Sequence, residues 1–280
     1  MSKKARQSQK QAGAVSLLIS CVLGAIAIMI LSFSGLAAKQ AVLSYDTQLN
    51  ANLDLAIQEL QTWYEKNADT IAASSTDVSE AQLLAVLSKQ NAGMRAVMST
   101  SMASGNCQSA VTGFTCIPWR KIAVWYPAST PVGTPLVQDG IPVGEFSGDA
   151  LWRVYSSQSW YSDRFSRQTK KIDDVGRALM AWFEGQSNLN PDDGPAVNYW
   201  RASNCAVQSH GIPCVDSYTD ISTTAVQNLI GMSSAELSPV IGKSIDFSNL
   251  QDSSQTPPYS VSLRVQMPWG QYMKRSVVQP

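Results

Sequence analysis

The first forty residues constrain the fold most, because a short basic leader runs directly into a long apolar segment. Residues 11–38 contain no charged residue and no proline. About 20 apolar residues in a helix cross the roughly 30 Å hydrocarbon core of a bilayer. Positive charge before the segment places the N-terminus on the cytoplasmic side. The sequence therefore predicts a membrane-spanning helix, with the rest of the chain outside the inner face.

A cleaved secretory signal is one alternative interpretation of this segment. Such a signal has an apolar region of about 7–15 residues, followed by a small-x-small cleavage site. The apolar segment here is longer, and its candidate processing site, Lys10 to Gly13, precedes the apolar residues. An uncleaved signal anchor is the second alternative, and it stays open.

The helical pattern continues beyond the apolar segment. Apolar residues recur at spacings of three, four and six residues, which is typical of one helix face. The first proline of the chain is Pro118. We therefore expect one helix over residues 14–67, with 14–38 spanning the membrane and 39–67 amphipathic. The recurring apolar residues are Leu43, Leu49, Leu53, Ile57, Leu60 and Trp63.

A basic leader that ends in glycine, followed by an apolar and then an amphipathic helical segment, resembles the N-terminus of type IV pilins and pseudopilins. The resemblance implies that a prepilin peptidase cuts after Gly13 and leaves Ala14 as the new N-terminus. It also implies that Gly35 weakens the helix during assembly, because glycine costs about 1 kcal/mol relative to alanine in a helix.

Two residues depart from the pilin pattern. Leu18, the fifth residue of the cut chain, stands where most pilins have a glutamate that is thought to pair with a neighbouring subunit's N-terminal amine. A carboxylate within a bilayer is costly and is retained for a partner. The pseudopilin that lacks this glutamate lies at the fibre tip, so we expect a tip or assembly-initiating position. The other departure is Ala14, where a bulkier apolar residue is usual.

Residues 63–93 also resemble the N-terminal region of minor pilins from conjugative type IVb pili. The resemblance implies other pilin subunits, a prepilin peptidase and the inner-membrane pilus assembly platform as partners, with membrane contact before assembly. It further implies an inner-membrane subunit with a periplasmic head that later joins an extracellular fibre.

Cysteine spacing predicts two disulfide-closed loops. Cys107 with Cys116, and Cys205 with Cys214, share the pattern N-C-x5-G-x-x-C. Structural zinc sites favour C-x2–4-C spacing, and cysteines of exported proteins are more often bridged, so disulfides are preferred to a metal. Four cysteines allow three connectivities, of which we expect sequential pairing. Cys21 is interpreted as a small buried residue of the apolar segment.

The chain after the helix predicts an α+β fold, in which a disulfide-stapled, pilin-like head with an antiparallel β-sheet follows the long transmembrane and stalk helix. Residues 121–126 predict a strand, alternation over residues 151–155 predicts a second, Asp139-Gly140 predicts a turn, and two strands flanking residues 267–270 predict a terminal hairpin. The predicted strands are Lys121–Tyr126, Leu151–Tyr155, Tyr259–Gln266 and Gln271–Val278.

Four segments describe the expected domain organisation: a leader over 1–13, the helix over 14–67, a first globular part over 68–165 and a second over 166–280. Charged residues make up 15% of the chain and the formal net charge is zero, so a polyanion-binding domain is not indicated. The second globular part contains a helix that we expect to follow Asp173-Asp174, because acidic residues complement the start of a helix.

The sequence contains no motif of catalysis. His210 is the only histidine and lies within the second cysteine loop, and neither G-x-S-x-G, H-E-x-x-H nor a phosphate-binding glycine loop is present. Residues 188–194 approach a calcium-loop pattern, but the glycine is one place late and no glutamate follows at the required distance, so a turn is preferred. We therefore expect a non-enzymatic protein without cofactor or metal.

Aromatic and cationic residues are interleaved between positions 152 and 171. Aromatic rings beside cations can bind single-stranded nucleic acid or a glycan. Aromatic residues at strand spacing are more often core, with the cations extending to the surface, so nucleic acid is not the expected partner. The residues of this possible ligand patch are Trp152, Arg153, Trp160, Tyr161, Arg164 and Arg167.

These observations predict a minor pilin or pseudopilin, a structural subunit of a type IV pilus-like fibre. The cleaved helix would pack by its apolar surface into a helical bundle, and the head would be displayed outside it. The alternative is an uncleaved, signal-anchored periplasmic binding or assembly protein that forms no fibre.

Overall fold

A computed structural model of the chain divides into two compact units, Met1–Leu55 and Ala56–Pro280. Some segments fall outside the description, and so do the side chains of residues 3–21, 27, 30, 31 and 38 within the first helix. The structure describes residues 3–74, 77–88, 93–104, 117–127, 137–138, 141–142, 151–194, 196–203, 205 and 211–280.

Five α-helices, a 3-10 helix (Ile221–Thr223) and eleven strands are formed by the described residues. The helices are α1 (Lys3–Ala73), α2 (Glu80–Val86), α3 (Gln158–Leu189), α4 (Ala225–Ile230) and α5 (Ser234–Leu237). The strands are β1 (Arg95–Met98), β2 (Met102–Ser104), β3 (Ile117–Trp119), β4 (Lys121–Tyr126), β5 (Val137–Gln138), β6 (Ile141–Pro142), β7 (Leu151–Ser156), β8 (Thr219–Asp220), β9 (Ile245–Ser248), β10 (Ser260–Gln266) and β11 (Tyr272–Val278).

The long N-terminal helix requires one correction. Helix α1 includes the predicted residues 14–67 and is longer at both ends. Among the residues that the structure describes, however, no helix has a segment both long and apolar enough to cross a bilayer. Ser32, Ser34 and Gly35 lower the mean hydropathy of this part of α1, and the charged residue Lys39 follows soon after. The prediction of a membrane-spanning helix is therefore wrong, whereas the α+β class with antiparallel sheets and a disulfide is confirmed.

A three-stranded antiparallel sheet in the order β1-β4-β7 forms the first layer of unit Ala56–Pro280. Its central strand carries four consecutive buried residues, 122–125, as expected for a strand covered on both faces. Strand β4 has the predicted bounds, and β7 extends the predicted strand by one residue to Ser156. The predicted turn at residues 139–140 lies outside the described residues, although Gln138 and Ile141 on either side pair antiparallel.

The C-terminal hairpin is part of a second antiparallel sheet, ordered β11-β10-β9-β8. Strands β10 and β11 pair over seven residues, from Ser260 with Val278 to Gln266 with Tyr272, which confirms the predicted hairpin. Alternate residues of β10 point to the interior, because Val261, Leu263 and Val265 are fully buried.

Helix α3 packs against β10 and β11. The approach is close at Gly176, where an added Cβ atom would lie 3.4 Å from Cγ2 of Val277. The helix begins at Gln158, so Asp173 and Asp174 lie in its middle and the predicted helix start is wrong. Its buried residues recur at helical spacing and are Tyr161, Gln168, Ile172, Val175, Gly176, Leu179 and Phe183.

An aromatic cluster joins residues 56–73 of α1 to the first sheet and to α3. The ring of Tyr64 makes edge-on contacts with Tyr155, Trp160 and Tyr161, at centroid distances of 6.2, 6.4 and 6.4 Å. Such arrangements are favourable beyond the area they bury. The core of this unit therefore includes the second half of the predicted amphipathic helix.

Candidate functional site

Exposed apolar side chains cover the described part of unit Met1–Leu55. Their exposure ranges from 47% at Ile26 to 70% at Phe33. Large exposed apolar surfaces mark sites of interaction, so this surface is the main candidate for function; we call it the apolar helix surface. It consists of Val22, Leu23, Ile26, Ile28, Met29, Phe33, Leu36, Val42, Leu43 and Tyr45.

Two serine hydroxyl groups on the same helix already have hydrogen-bond acceptors within that helix. Ser32 donates to the carbonyl of Ile28 at 2.8 Å, and Ser44 donates to that of Ala41 at 2.9 Å. Such bonds to a preceding turn satisfy the hydroxyl within its own helix. These positions can therefore enter an apolar contact without an unpaired donor.

A row of large residues at a spacing of seven runs along the apolar helix surface, and the sequence analysis missed it. Val22, Met29, Leu36 and Leu43 are 49%, 61%, 58% and 65% exposed. Seven residues are close to two helical turns, so the four side chains lie on one side of α1. The signal was present in the sequence, because a sustained seven-residue apolar repeat is typical of helices that pack side by side.

Three of the residues singled out by the pilin resemblance, Gly13, Ala14 and Leu18, lie outside the described side chains. Gly35 is described. Helix α1 continues through it, and no neighbouring atom lies within 4 Å of the position of an added Cβ. Weakening of the helix at Gly35 during assembly therefore stays a prediction.

The second cysteine loop is closed by a disulfide between Cys205 and Cys214, whose Cα atoms are 5.3 Å apart. The predicted pairing of these two residues is confirmed. Cys107 and Cys116 lie outside the described residues, so their pairing stays a prediction.

Asn249 anchors the chain around this loop. Its side chain is fully buried, donates to the carbonyls of Trp200 and Pro213 at 2.8 and 3.0 Å, and accepts from the backbone N–H of Val215 at 2.8 Å. Arg201 donates to the same amide oxygen at 3.0 Å. All hydrogen-bonding positions of a buried amide are thus used, which fixes the two sides of the loop at the end of β9.

The possible ligand patch is divided between the interior and the surface. Tyr161 is 1% exposed and donates to the carbonyl of Ala68 at 3.0 Å. Burial raises the pKa of Tyr161, so the phenol stays neutral. Trp160 lies beside it, with ring centroids 4.8 Å apart. These two rings therefore serve as packing groups of α3.

Arg164 is used to hold the segment before β9. Its guanidinium pairs with Asp69 at 3.0 Å, donates to the carbonyl of Val240 at 2.7 Å and lies over the ring of Trp160. One and two turns further along α3, Gln168 accepts from the backbone N–H of Val240 at 2.7 Å, and Lys171 donates to the carbonyl of Ser238. This face of α3 is therefore a clamp on residues 238–241.

The remaining members of the patch lie at the surface. Arg167 forms an i,i+4 ion pair with Asp163 at 2.9 Å, and both side chains are more than half exposed. Arg153 donates to the carbonyl of Trp152, and Trp152 is 45% exposed. The six residues do not form one stacking surface, and binding of nucleic acid or a glycan at this patch stays the less favoured alternative.

Within the described parts of the chain, no three His, Cys, Asp or Glu side chains come together as a group that could hold a metal ion. A cleft of about 560 Å³ lies beside the second cysteine loop, with Asn198, Arg201 and Gln255 in its lining. Arg201 is already bound to Asn249 and to Asp216. The described lining of this cleft does not combine a nucleophile with a general base. The apolar helix surface therefore remains the leading candidate.

Comparison with known proteins adds no assignment: no family model matches the chain, and neither does any curated protein or solved structure. The functional argument therefore depends on the residues and their geometry. Of these, the apolar helix surface is the feature that most needs a partner.

Proposed function

We propose that this chain is a structural subunit of a type IV pilus-like fibre, of the minor pilin or pseudopilin kind, and that it enters the fibre by its N-terminal helix. The observation that carries the proposal is the apolar helix surface, where ten large apolar side chains between residues 22 and 45 are exposed. A bundle of such helices would cover them.

The energy available from covering this surface is large. Burying one Val, Leu, Ile, Phe or Met side chain contributes about 1.5–3 kcal/mol. Ten half-exposed side chains therefore supply on the order of 10 kcal/mol before the entropic cost of association. That is enough to hold a subunit in a fibre without catalytic or ligand-dependent chemistry.

The C-terminal unit suits the role of the displayed head. Its two antiparallel sheets and α3 enclose their own core, and a disulfide closes the second cysteine loop. In this proposal the partners are other fibre subunits, a prepilin peptidase and the assembly platform, and the assembled subunit lies outside the cell. The head requires no cofactor for this role.

The proposed position in the fibre is the tip or the start of assembly, and it rests on Leu18. Restoring a glutamate by Leu18→Glu should convert rare incorporation into frequent incorporation, because the carboxylate can pair with the amine of a neighbouring subunit. The copy number per fibre, measured by quantitative mass spectrometry, tests this. An unchanged copy number would contradict the tip position and leave the fibre role intact.

The proposed function is tested by the N-terminal sequence of the protein expressed with and without a prepilin peptidase. A new N-terminus at Ala14 is expected only with the enzyme. In the same host, Phe33→Glu should remove the protein from purified fibres, because a carboxylate would replace a ring that the proposed fibre buries. Thr62→Glu, on an exposed position of the other unit, is the matched control. An intact leader in both samples would overturn the proposal.

A further inference from the structure

Strand β11 is an outer edge of the second sheet, because the order β11-β10-β9-β8 places it last. At one end of its ladder with β10, the N–H of Met267 donates to the carbonyl of Gln271 at 2.7 Å. At the other end, the N–H of Gln279 donates to the carbonyl of Tyr259 at 2.8 Å. Hydrogen-bonded and non-hydrogen-bonded pairs alternate in an antiparallel ladder. The odd-numbered residues of β11 therefore bond to β10, and the backbone groups of the even-numbered residues face outward.

The outward backbone groups of β11 have no partner in the part of the chain that the structure describes. Among those residues, no hydrogen bond is formed to the backbone N–H or C=O of positions 272, 274, 276 and 278. The strand has seven residues, and the mean strand has about 5–6. A long row of unpaired backbone groups is a template for another extended chain. This edge can therefore accept a further strand.

A groove of about 320 Å³ lies between this edge and helix α3. Its described lining includes no residue of β10, so the groove is on the outer side of β11. Gly176 contributes no side chain to it, and Met180 and Val277 contribute apolar atoms. The groove therefore has room for a side chain of a strand that lies beside β11. The lining consists of residues 275–278 of β11 and of Asp173, Gly176, Arg177 and Met180 of α3.

Arg275 gives the groove a site for a carboxylate. Its guanidinium pairs through Nε with Asp173 at 3.1 Å, and its side chain is 59% exposed. Within the described residues, its two terminal nitrogens have no partner. A guanidinium has five N–H donors and binds carboxylates strongly, so it can hold a second one. Arg177, the other cation of the lining, pairs with Asp174 on its own helix. An acidic residue is therefore favoured opposite Arg275.

We propose that this groove binds an extended peptide segment of a partner protein, which adds to β11 as an antiparallel strand. The segment places an apolar residue opposite Val277 and, two positions later, an acidic residue opposite Arg275. The direction follows the rest of the sheet, which is antiparallel throughout its described pairings. Both positions form non-hydrogen-bonded pairs, in which facing side chains are closest. Backbone hydrogen bonds then supply affinity and the two side chains supply specificity. The inference goes beyond the fibre role and does not depend on it.

A second copy of β11 fits this edge less well than an acidic peptide. An antiparallel pair of two β11 strands that overlaps over all seven residues sets Arg275 directly opposite Arg275 of the other copy. Like charges directly opposite each other are unfavourable in a sheet. Lys274 is also exposed beside this edge, and charged side chains, lysine above all, protect edge strands from pairing with themselves. The occupant is therefore a different chain.

Binding of a labelled peptide to the full chain tests the charge preference. The probe is a capped peptide of sequence T-I-T-E-T-V-T, and its control has lysine in place of glutamate. Fluorescence anisotropy should show saturable binding, with a Kd at least about fivefold lower for the glutamate peptide. The Arg275→Glu chain should instead prefer the lysine peptide. Arg167→Glu is the matched control, because Arg167 is also 59% exposed and paired with an aspartate, but lies outside the lining of the groove.

Backbone methylation of the glutamate peptide tests strand addition with the native chain. Only alternate amides of an added strand face β11. Methylation of the two threonine amides on either side of the glutamate removes donors to β11 and should weaken binding at least about tenfold. Methylation of the isoleucine and glutamate amides, which face away, should change the Kd by less than about twofold. In addition, the peptide should slow hydrogen exchange at the backbone amides of residues 274 and 276.

Several results would overturn the inference. They are the absence of saturable binding below about 1 mM, equal binding of the glutamate and lysine peptides, and equal effects of the two methylation patterns. Exchange at residues 274 and 276 that slows with protein concentration, without peptide, would show that a second copy occupies the edge. The fibre role is tested separately, because leader cleavage and Phe33→Glu concern unit Met1–Leu55, whereas the groove belongs to unit Ala56–Pro280. Either proposal can therefore fail while the other stands.

Discussion

The two units of this chain place similar side chains in opposite environments. Phe33 in unit Met1–Leu55 is 70% exposed, whereas Phe247 in unit Ala56–Pro280 is fully buried on β9. Because about 25 cal/mol is gained per Å² of apolar surface removed from water, the ring of Phe247 contributes this energy to the fold, whereas most of the ring of Phe33 does not. In the proposed fibre, Phe33 would obtain it from a neighbouring subunit. Exposure of the same residue type therefore distinguishes an open apolar surface from a packed core.

Polar side chains follow the same division. In the described part of the first unit, Ser32, Ser44 and Thr47 donate to carbonyls three or four residues earlier. In the second unit, Asn249 and Gln168 join segments that are more than thirty residues apart. The polar groups of the head thus specify its tertiary structure, whereas those of the helix leave its outer surface apolar.

The largest expected effect contrasts the two phenylalanines. Phe247→Ala should lower the free energy of unfolding of the head by about 3–5 kcal/mol, because it removes a buried ring from the core. Phe33→Ala should change it by no more than about 0.5 kcal/mol. Urea unfolding followed by tryptophan fluorescence measures this selectively, since all eight tryptophans lie in unit Ala56–Pro280. A large loss from Phe33→Ala would remove the distinction between the units.

The next contrast uses two asparagines. Asn249→Ala should cost about 3 kcal/mol, because several buried hydrogen-bonding groups lose their partner, each at about 1–3 kcal/mol with partial relief by water. Asn50→Ala is the matched control, since its amide donates to the carbonyl of Asp46 on the same helix. The control should change the unfolding free energy of the head by less than about 0.5 kcal/mol. Equal effects would show that Asn249 is not the anchor of the loop.

Removal of the disulfide tests whether unit Ala56–Pro280 is stabilised by its own contacts. Replacing Cys205 and Cys214 together by serine should cost about 2–3 kcal/mol, the value expected for releasing a loop of about ten residues. Comparison of the double variant with the native chain in urea measures it, and it leaves Cys107 and Cys116 untouched. A loss below about 0.5 kcal/mol would mean that the Asn249 contacts alone fix the loop.

The smallest expected effect is a pH dependence at the surface of the head. The hydrogen bond from Arg95 holds the pKa of Glu80 below its ordinary value of 4.5, and the backbone N–H of Ala96 adds to this. A lowered pKa in the folded state means that the stabilisation is complete above the ordinary pKa and is lost as the pH falls through the lowered value. Glu80→Gln should therefore cost about 0.5 kcal/mol at pH 7.

The difference between native and Glu80→Gln chains should shrink as the pH falls below 4.5 and vanish once the carboxyl of the native protein is protonated. Urea unfolding at pH 7, 4.5 and 3 follows it. A difference that stays constant over this range would assign the effect to packing of the side chain rather than to its charge.

The local sequence pattern predicted those elements of unit Ala56–Pro280 whose structure depends on residues close in the sequence. Strand β4 and the β10–β11 hairpin were predicted to within a residue or two, because a short apolar run encodes the strand and a short turn between two strands encodes the hairpin. Helix α3 was placed too late. Its buried face includes Gln168, whose side chain accepts from the backbone N–H of Val240 and Ile241, and a polar residue on a buried face breaks the apolar period.

Long-range contacts also explain why the ligand patch was not recognisable as a clamp. The roles of Arg164 and Lys171 depend on carbonyls of residues 235–240, which are more than sixty positions away. The prediction of a membrane-spanning helix was wrong for a different reason. It gave more weight to the absence of charged residues than to the polar and small residues within the segment. The row from Val22 to Leu43 was readable from spacing alone.

The apolar helix surface also limits how long a free subunit can persist. A chain that exposes ten large apolar side chains will meet other apolar surfaces whether or not they belong to a fibre. If the chain is the fibre subunit proposed above, copies made faster than they are incorporated would therefore be lost to aggregation or degradation. The steady amount of this protein should follow the number of places available for it, and raising its synthesis alone should add little.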